Sequence, residues 1–426
     1  MNVGDLVDAG LAEIRTGPFG TQLRASDYVE SGRPVLNVRN VGFGDVRTKD
    51  LEHVNEETAT RLAGHLLRVN DIVFGRKGAV ERHAFIGQEF DGAMQGSDCI
   101  RLRVSENSPM PAAFITFALR TKQHQAWMQA FSSHGATMAS LNQEIVRQIP
   151  LPDVSREQQL LAVEVLQTID NLIDNSRRRV RVLEAMARAI YQEWFVKFRY
   201  PGHESVPLVD STVGPIPDGW MSSTCGTELN FIGGGTPSKV DPSYWEDGTV
   251  PWYTPTDLTK SGWRHAAAPA LRITELGVSR SSARLFPAGS VMMTSRATLG
   301  VLAIATTEAT TNQGFIVILP DERWSASFIY EWLDSNAVEL AALGTGATFK
   351  EITKGSFKSF PFVVPAKAVL DAHKAAVEPL EQQIHVLDQQ TRNLAALRDL
   401  LLPRLVTGRI DVSVLDLDRV LEEAVE

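Results

Sequence analysis

The sequence predicts two α/β (α+β) globules joined by two long helices that form an antiparallel coiled coil, an internal repeat with pseudo-two-fold character. Three observations predict it. The chain has 426 residues, too many for one ordinary core and suited to two or three domains. It repeats itself at a period of about 211 residues. Each half ends in a long helical pattern with apolar residues at coiled-coil spacing.

The repeat is read first from turns and prolines. Gly135, Thr137 and Pro150 recur as Gly346, Thr348 and Pro361, each 211 positions on. Upstream, the segment from Asp71 through Arg76 and Lys77 aligns with Ser290 through Ser295 and Arg296 at an offset of 219. Met94, Gln95 and Gly96 align with Asn312, Gln313 and Gly314 at 218, so small insertions separate the copies. Each half opens with irregular sequence holding short β-rich runs such as residues 35–38 and 315–319.

The first helical stretch carries Val165, Ile169, Leu172, Leu183, Met186 and Ile190, interrupted at Ser176 and Arg179. The second carries Leu380, Leu387, Leu394 and Leu401 at strict sevens, with Leu397 between them. Ile169, Ser176, Leu183 and Ile190 lie 211 positions before those four leucines, so both copies share one heptad register. Ser176, Arg179, Gln383 and Gln390 are the expected polar positions of the seam, where they would fix pairing register. Pro379 is expected to kink the second helix or mark its true start. The resulting division is a globule over residues 1–154, a helix over 155–200, a globule over 201–365, a helix over 366–405 and a tail over 406–426. A run of about 40 helical residues is roughly 60 Å long, enough to act as a spacer.

Composition narrows the function. With 43% hydrophobic and 22% charged residues the chain reads as globular rather than disordered. No apolar run approaches the roughly 18 residues of a membrane span, and two cysteines, Cys99 and Cys225, are too few for a disulfide framework. A reducing cytoplasm is the expected location, with no membrane partner. The net charge of −9 argues against nucleic acid at first, but the acidity lies in the second half: residues 1–154 hold 16 Lys and Arg against 18 Asp and Glu, and residues 155–200 hold 8 against 6. Of the 42 basic residues 31 are Arg, the planar donor that reads guanine edges.

Several catalytic classes fail on spacing. No Gly-Lys dipeptide exists, which disfavours a phosphate-cradling P-loop, and no lysine has an acidic residue two positions before it, as a metal-dependent nuclease of the PD-(D/E)xK class requires. The nine histidines form no ligand cluster, so no metal site is expected. Residues Phe231, Gly233 and Gly235 match the glycine-rich loop with which methyltransferases approach S-adenosylmethionine, but no (D/N)PP(Y/F) tetrapeptide accompanies them. Two related modules on a spacer, without catalytic residues, suit a bipartite DNA site read at fixed separation.

Particular stretches resemble a known family. Pro217, Gly219 and Trp220 lead to Gly234, Gly235, Thr236, Pro237 and Ser238, then to Tyr244, Trp245, Pro251 and Trp252. Ala187, Ile190, Trp194 and Phe195 close the first helical stretch, and Pro403, Arg404, Gly408 and Ile410 the second. These are similar to the target recognition domains and conserved helices of the specificity subunit (HsdS) of type I restriction-modification systems. The first module fits through Gly17, Pro18, Phe19, Gly20, Asp27, Tyr28 and Pro34, without the Pro-x-Gly-Trp lead-in. The resemblance implies two target recognition domains that each read half of an asymmetric, gapped duplex DNA site, two methyltransferase subunits docked on the chain, and restriction subunits as further partners. It implies no cofactor in this chain; S-adenosylmethionine and ATP with Mg would belong to the partners.

Base readout is expected from Arg76, Lys77, Arg82 and Gln95 in the first module, and from Ser295, Arg296, Asn312 and Gln313 in the second. Thr236, Ser238 and Lys239 are expected to position phosphate through amides bared by the three glycines. Trp252 and Tyr253 read as core, and Tyr191, Trp194 and Phe195 as packing under a globule. The four arginines among residues 177–181 read as a solvated face or as a contact with DNA or a methyltransferase partner. Two other readings stay open: a two-headed protein-binding scaffold, and a stand-alone methyltransferase built on Phe231 to Gly235.

Overall fold

The computed structural model describes residues 1–132, 139–346 and 350–410. The turns at Gly135 to Thr137 and at Ala347 and Thr348, and the tail beyond residue 410, lie outside the described residues. The chain divides into two compact units, one of Met1–Asp174 with residues 392–410 and one of Asn175–Thr391. Each unit therefore holds one globule and a part of both long helices, so its boundaries cut across the helices rather than falling at their ends.

The two globules share one topology. In the first, strands run in the order Ala12–Thr16, Cys99–Val104, Ile72–Gly75, His83–Phe85 and Phe43–Gly44. In the second the order is Phe231–Gly233, Phe315–Ile318, Val291–Arg296 and Thr298–Ile304. A smaller sheet repeats too: Glu52–Val54, Arg33–Leu36 and Met94–Gln95 answer to Leu271–Ile273, Val250–Tyr253 and Thr310–Thr311, with the last pairing parallel in both. Ladder register fixes the equivalence residue by residue. Ile72 faces Leu102 as Val291 faces Ile318, and Leu36 faces Gln95 as Tyr253 faces Thr311.

Each sheet buries one apolar face against a short helix and both long helices. In the first unit Ile72, Phe74, Ile100 and Leu102 meet Phe114 and Ile115 of Ala112–Leu119, and Leu166, Ile169 and Ile173 meet Leu394, Leu402 and Leu405 in the same core. In the second, Val291, Met293, Ile316 and Ile318 meet Phe328, Ile329 and Trp332, with Tyr191 and Phe195 closing the cluster as expected. Each fully buried side chain of this size contributes about 1.5–3 kcal/mol.

The first long helix is Arg156–Tyr191 and the second Lys367–Leu405. Ser155 starts the first by accepting the Gln158 amide on its hydroxyl, and Gly408, with φ of 66°, ends the second. Pro379 neither starts nor interrupts the second helix, which begins at Lys367 and runs through it. Its ring faces solvent, where the carbonyl it leaves unbonded can be hydrated. The pairing is antiparallel within each unit. Val154 and Gln158, at the start of the first helix, lie beside Gly408, just past the end of the second. In the second unit Phe195, just past the end of the first helix, packs on His373, in the second turn of the other.

The seam differs from the expected one in its alternate positions. Ile169, Leu387 and Leu394 are buried as expected, and Val165 is buried in the first unit's core. Leu172, Leu183, Ile190, Leu380, Leu397 and Leu401 are half-buried beside it. Met186, however, is 46% exposed; Ala187, completely buried, takes its place. Between Ile169 and Ala187 the buried residues of the first helix are Ile169, Ile173, Ser176, Val180 and Ala187, so each step out of the heptad position is four residues rather than the expected three. The same shift exposes Arg179 and Gln383 and leaves Gln390 half-buried, while Ser176 is buried as expected and Thr391 and Asp388 are the further polar seam residues.

Ionic anchors hold each globule to its helices, and they differ. In the first unit Arg120 donates to Asp170 of the first helix at 2.6 Å, and Arg398 of the second helix donates to the same carboxylate at 3.1 Å. Residues 211 positions on are Glu331 and Glu381, two carboxylates where the first unit has a cation and an anion. Arg264 fills the conflict: its buried guanidinium donates to Glu331 at 2.7 Å and Glu381 at 2.8 Å and lies 4.0 Å over the Tyr330 ring. Burial alone would lower the Arg264 pKa, but its hydrogen bonds with Glu381 and the charges of Glu381 and Glu331 outweigh it and hold the group above its ordinary value. Beside it His265 lies 3.3 Å from both Glu381 and Asp388.

Candidate nucleic-acid interface

The hairpin turn after Ile72–Gly75 in the first globule, and after Val291–Arg296 in the second, docks on the segment leading toward the long helix. In the first module Leu141 donates its amide to the Arg76 carbonyl, and Gly78 donates to Ala139. In the second, Ile352 donates to Ser295 and Ala297 donates to Lys350. Arg76, Lys77 and Gly78 are therefore equivalent to Ser295, Arg296 and Ala297, the alignment expected at offset 219. Gly78 has φ of 81° and Ala297 φ of 63°, so the same left-handed turn is made once with glycine and once with alanine, where it is strained.

The second expected alignment is corrected. Arg76 donates its amide to the Asp98 carbonyl as Ser295 donates to Gly314, and the Leu36–Gln95 pairing matches Tyr253–Thr311. The offset there is 216, not 218, which makes Ser97 the equivalent of Gln313 and Thr311 that of Gln95. Gln95 is accordingly fully buried, its amide donating to the carbonyls of Arg15 at 2.9 Å and Cys99 at 3.1 Å, so it faces no ligand. Ser295, 3% exposed, is likewise withdrawn from the surface.

The remaining residues converge. In the second module Pro255, Arg296, Ala297, Asn312, Gln313 and Gly314 line an open groove of about 330 Å³. Arg296 is half-exposed and 3.6 Å from Glu351, and Gln313 is exposed, its carboxamide oxygen accepting the Thr236 hydroxyl at 2.6 Å. Asn312 spends its side-chain oxygen on the Gly314 amide at 2.8 Å. In the first module Lys77 is exposed and 3.4 Å from Asp98, Arg76 stacks its guanidinium 5.0 Å from the Phe19 ring, and Arg82 stacks 5.4 Å from Phe43. Phe19, 55% exposed, was not singled out as a site residue, although an aromatic inside Gly17, Pro18 and Gly20 has little core to join.

The glycines of the second module serve its own backbone. A side chain at Gly234 would collide with the carbonyls of Thr311 and Asn312, and one at Gly235 with Ser282. Gly17 makes the same approach to the Gly96 carbonyl in the first module. The Gly235 amide is donated to Thr311, so it is not left for a phosphate, and the bare backbone faces protein rather than an S-adenosylmethionine cavity. Ser238 and Lys239 are exposed at the end of this loop, where the Trp245 indole donates to the Ser238 carbonyl at 2.9 Å. Trp252 and Tyr253 are core residues, 3% and 2% exposed. Among the described residues no group of three His, Cys, Asp or Glu side chains could hold a metal ion, and no helix is long and apolar enough to cross a membrane.

The model of the type I restriction modification DNA specificity domain matches residues 217–393, the second module with much of its following helix. Residues 217–393 therefore carry a type I restriction modification DNA specificity domain. The chain is 31% identical over 175 residues to the type I restriction enzyme MjaIX specificity subunit of Methanocaldococcus jannaschii, covering 41% of this chain and 39% of that protein. Against the type I restriction enzyme HindI specificity subunit of Haemophilus influenzae the identity is 20%, over 88% of this chain and 94% of the relative. The S subunit of a type I restriction-modification system from M. genitalium shares the fold, with a TM-score of 0.60 at 14% identity, over 95% of each chain. The HindI relative aligns across both modules, while the domain model matches the second, the module with the full Pro217, Gly219 and Trp220 lead-in.

Proposed function

We propose that this chain is the DNA sequence-specificity subunit of a type I restriction-modification complex, reading an asymmetric bipartite duplex site with one half per module. The observation that carries this reading is one face built twice with different side chains: Lys77, Ser97 and Asp98 in the first module, Arg296, Gln313 and Gly314 in the second. Equal geometry suits equal docking on a duplex, and unequal chemistry suits two different half-sites. Lys77 and Arg296 supply phosphate or base-edge cations on these faces, and partner subunits supply the rest of the positive charge that a chain of net charge −9 lacks.

The chain contributes recognition and no bond-making group. Two methyltransferase subunits, using S-adenosylmethionine for adenine-N6 methylation, dock on it, and restriction subunits using ATP and Mg complete the complex in the cytoplasm. The test is retention of a fluorescent duplex carrying the site by the chain assembled with its methyltransferase subunits. Binding selective for that duplex supports the proposal. Assembly without selective retention would favour the two-headed protein scaffold.

A further inference from the structure

We infer that Gln313 is the base-reading residue of the second module, that Thr236 is the residue positioning it, and that the base it reads is adenine. The inference rests on the proposed DNA-reading function and deepens it.

A glutamine carboxamide can pair with adenine through two bonds, its oxygen accepting from N6 and its nitrogen donating to N7. On an open surface the group rotates, and binding must freeze a long side chain at a cost in rotamer entropy. Here the freezing precedes binding. The Thr236 hydroxyl donates to the Gln313 oxygen at 2.6 Å, which holds the plane of the amide. One lone pair of that oxygen and both N–H groups stay available, the acceptor-donor pair that the adenine edge complements.

The surroundings leave this role to Gln313. It is exposed at the groove, whereas Asn312 spends its oxygen on the Gly314 amide and Ser295 is buried beneath. Arg296 is turned to Glu351, its β-bridge neighbour, at 3.6 Å. Thr236 itself is held by its loop, since Gly234 and Gly235 run directly along Thr311, Asn312 and Ser282 with no room for side chains. The first module lacks the pair: Ser97 stands at the Gln313 position, and two residues past the equivalent glycine, Gly17, stands Phe19. The adenine contact is therefore expected in one half-site only.

The test uses the chain assembled with its methyltransferase subunits and a randomised duplex library, with methylated adenine read by sequencing. Wild type is expected to require, besides the adenine that is methylated, a further adenine at one position of the half-site read by the second module. Gln313→Ala should reduce discrimination at that position by on the order of tenfold to a hundredfold, with the other half-site and the gap unchanged. Thr236→Val should relax the same position, and Thr236→Ser, which keeps the hydroxyl, should not. An unchanged motif in Gln313→Ala, or relaxation at another position, would overturn the assignment of the base reader. Relaxation by Thr236→Ser equal to that by Thr236→Val would overturn the positioning role. A wild-type complex that methylates no bipartite motif would instead refute the proposed function itself.

Discussion

Arg264 shows how much a single residue carries in this fold. Its guanidinium is 1% exposed and bridges two carboxylates that the duplication would otherwise leave facing each other. Arg264→Met should therefore destabilise the second unit by about 3–5 kcal/mol, because it strands Glu331 and Glu381 without their shared cation; chemical denaturation followed by the unit's tryptophans measures it. Nothing in the sequence marks this role, since Arg264 lies 67 positions from Glu331 and 117 from Glu381. His373 is a second such residue. It is 1% exposed among the rings of Tyr191, Trp194, Phe195 and Phe328, neither ring nitrogen has a hydrogen-bond partner among the described residues, and burial pushes its pKa down to about 4. The unfolded chain takes up that proton near pH 6.5 and the folded chain only near pH 4, so its stabilising contribution is complete above about pH 6.5 and is lost as pH falls through that window. The loss reaches about 3 kcal/mol. His373→Phe should flatten the fall in stability of the second unit between pH 6.5 and 4, and an unchanged pH profile would contradict it.

At the scale of elements, the long helices were legible and their facing positions only partly so. Strict sevens at Leu380, Leu387, Leu394 and Leu401 identify the seam of the second helix, because the apolar spacing there is unbroken. In the first helix Leu172 and Ile173 are equally apolar neighbours that spacing does not separate, and only packing selects Ala187 over the larger Met186 where two helices approach closely. Ile384→Ala, at a completely buried seam position with Val180 and Leu387 around it, should cost about 2–4 kcal/mol, and Met186→Ala less than about 0.5. The reverse ranking in thermal denaturation would mean that the seam runs through the expected residues after all. The strands of the reading face were legible as runs, but Gln95 and Gln313 were paired by a shared Gln-Gly dipeptide, and ladder register, invisible in sequence, moves the pairing by two residues.

At the scale of the whole molecule, duplication was the most informative feature of the sequence, because a shared topology can be read from a few repeated turns and prolines even where side chains diverge. The bases recognised were not legible: they depend on which exposed side chains converge, and Thr236 and Gln313 are 77 positions apart. If both modules contact phosphate, removing one cation from either should weaken binding to all sequences alike. Lys77→Ala and Arg296→Ala should each reduce the slope of log affinity against log salt by about 1, measured on the assembled complex. An unaltered slope in both would place these cations off the duplex.

Genome-wide mapping of methylated adenine in the native host, with and without this chain, decides whether one chain directs modification to one asymmetric site of two halves. Deletion is expected to remove one motif of two short half-sites with a fixed gap and to leave other methylation intact. An unchanged map, in a host that expresses the methyltransferase subunit, would contradict it.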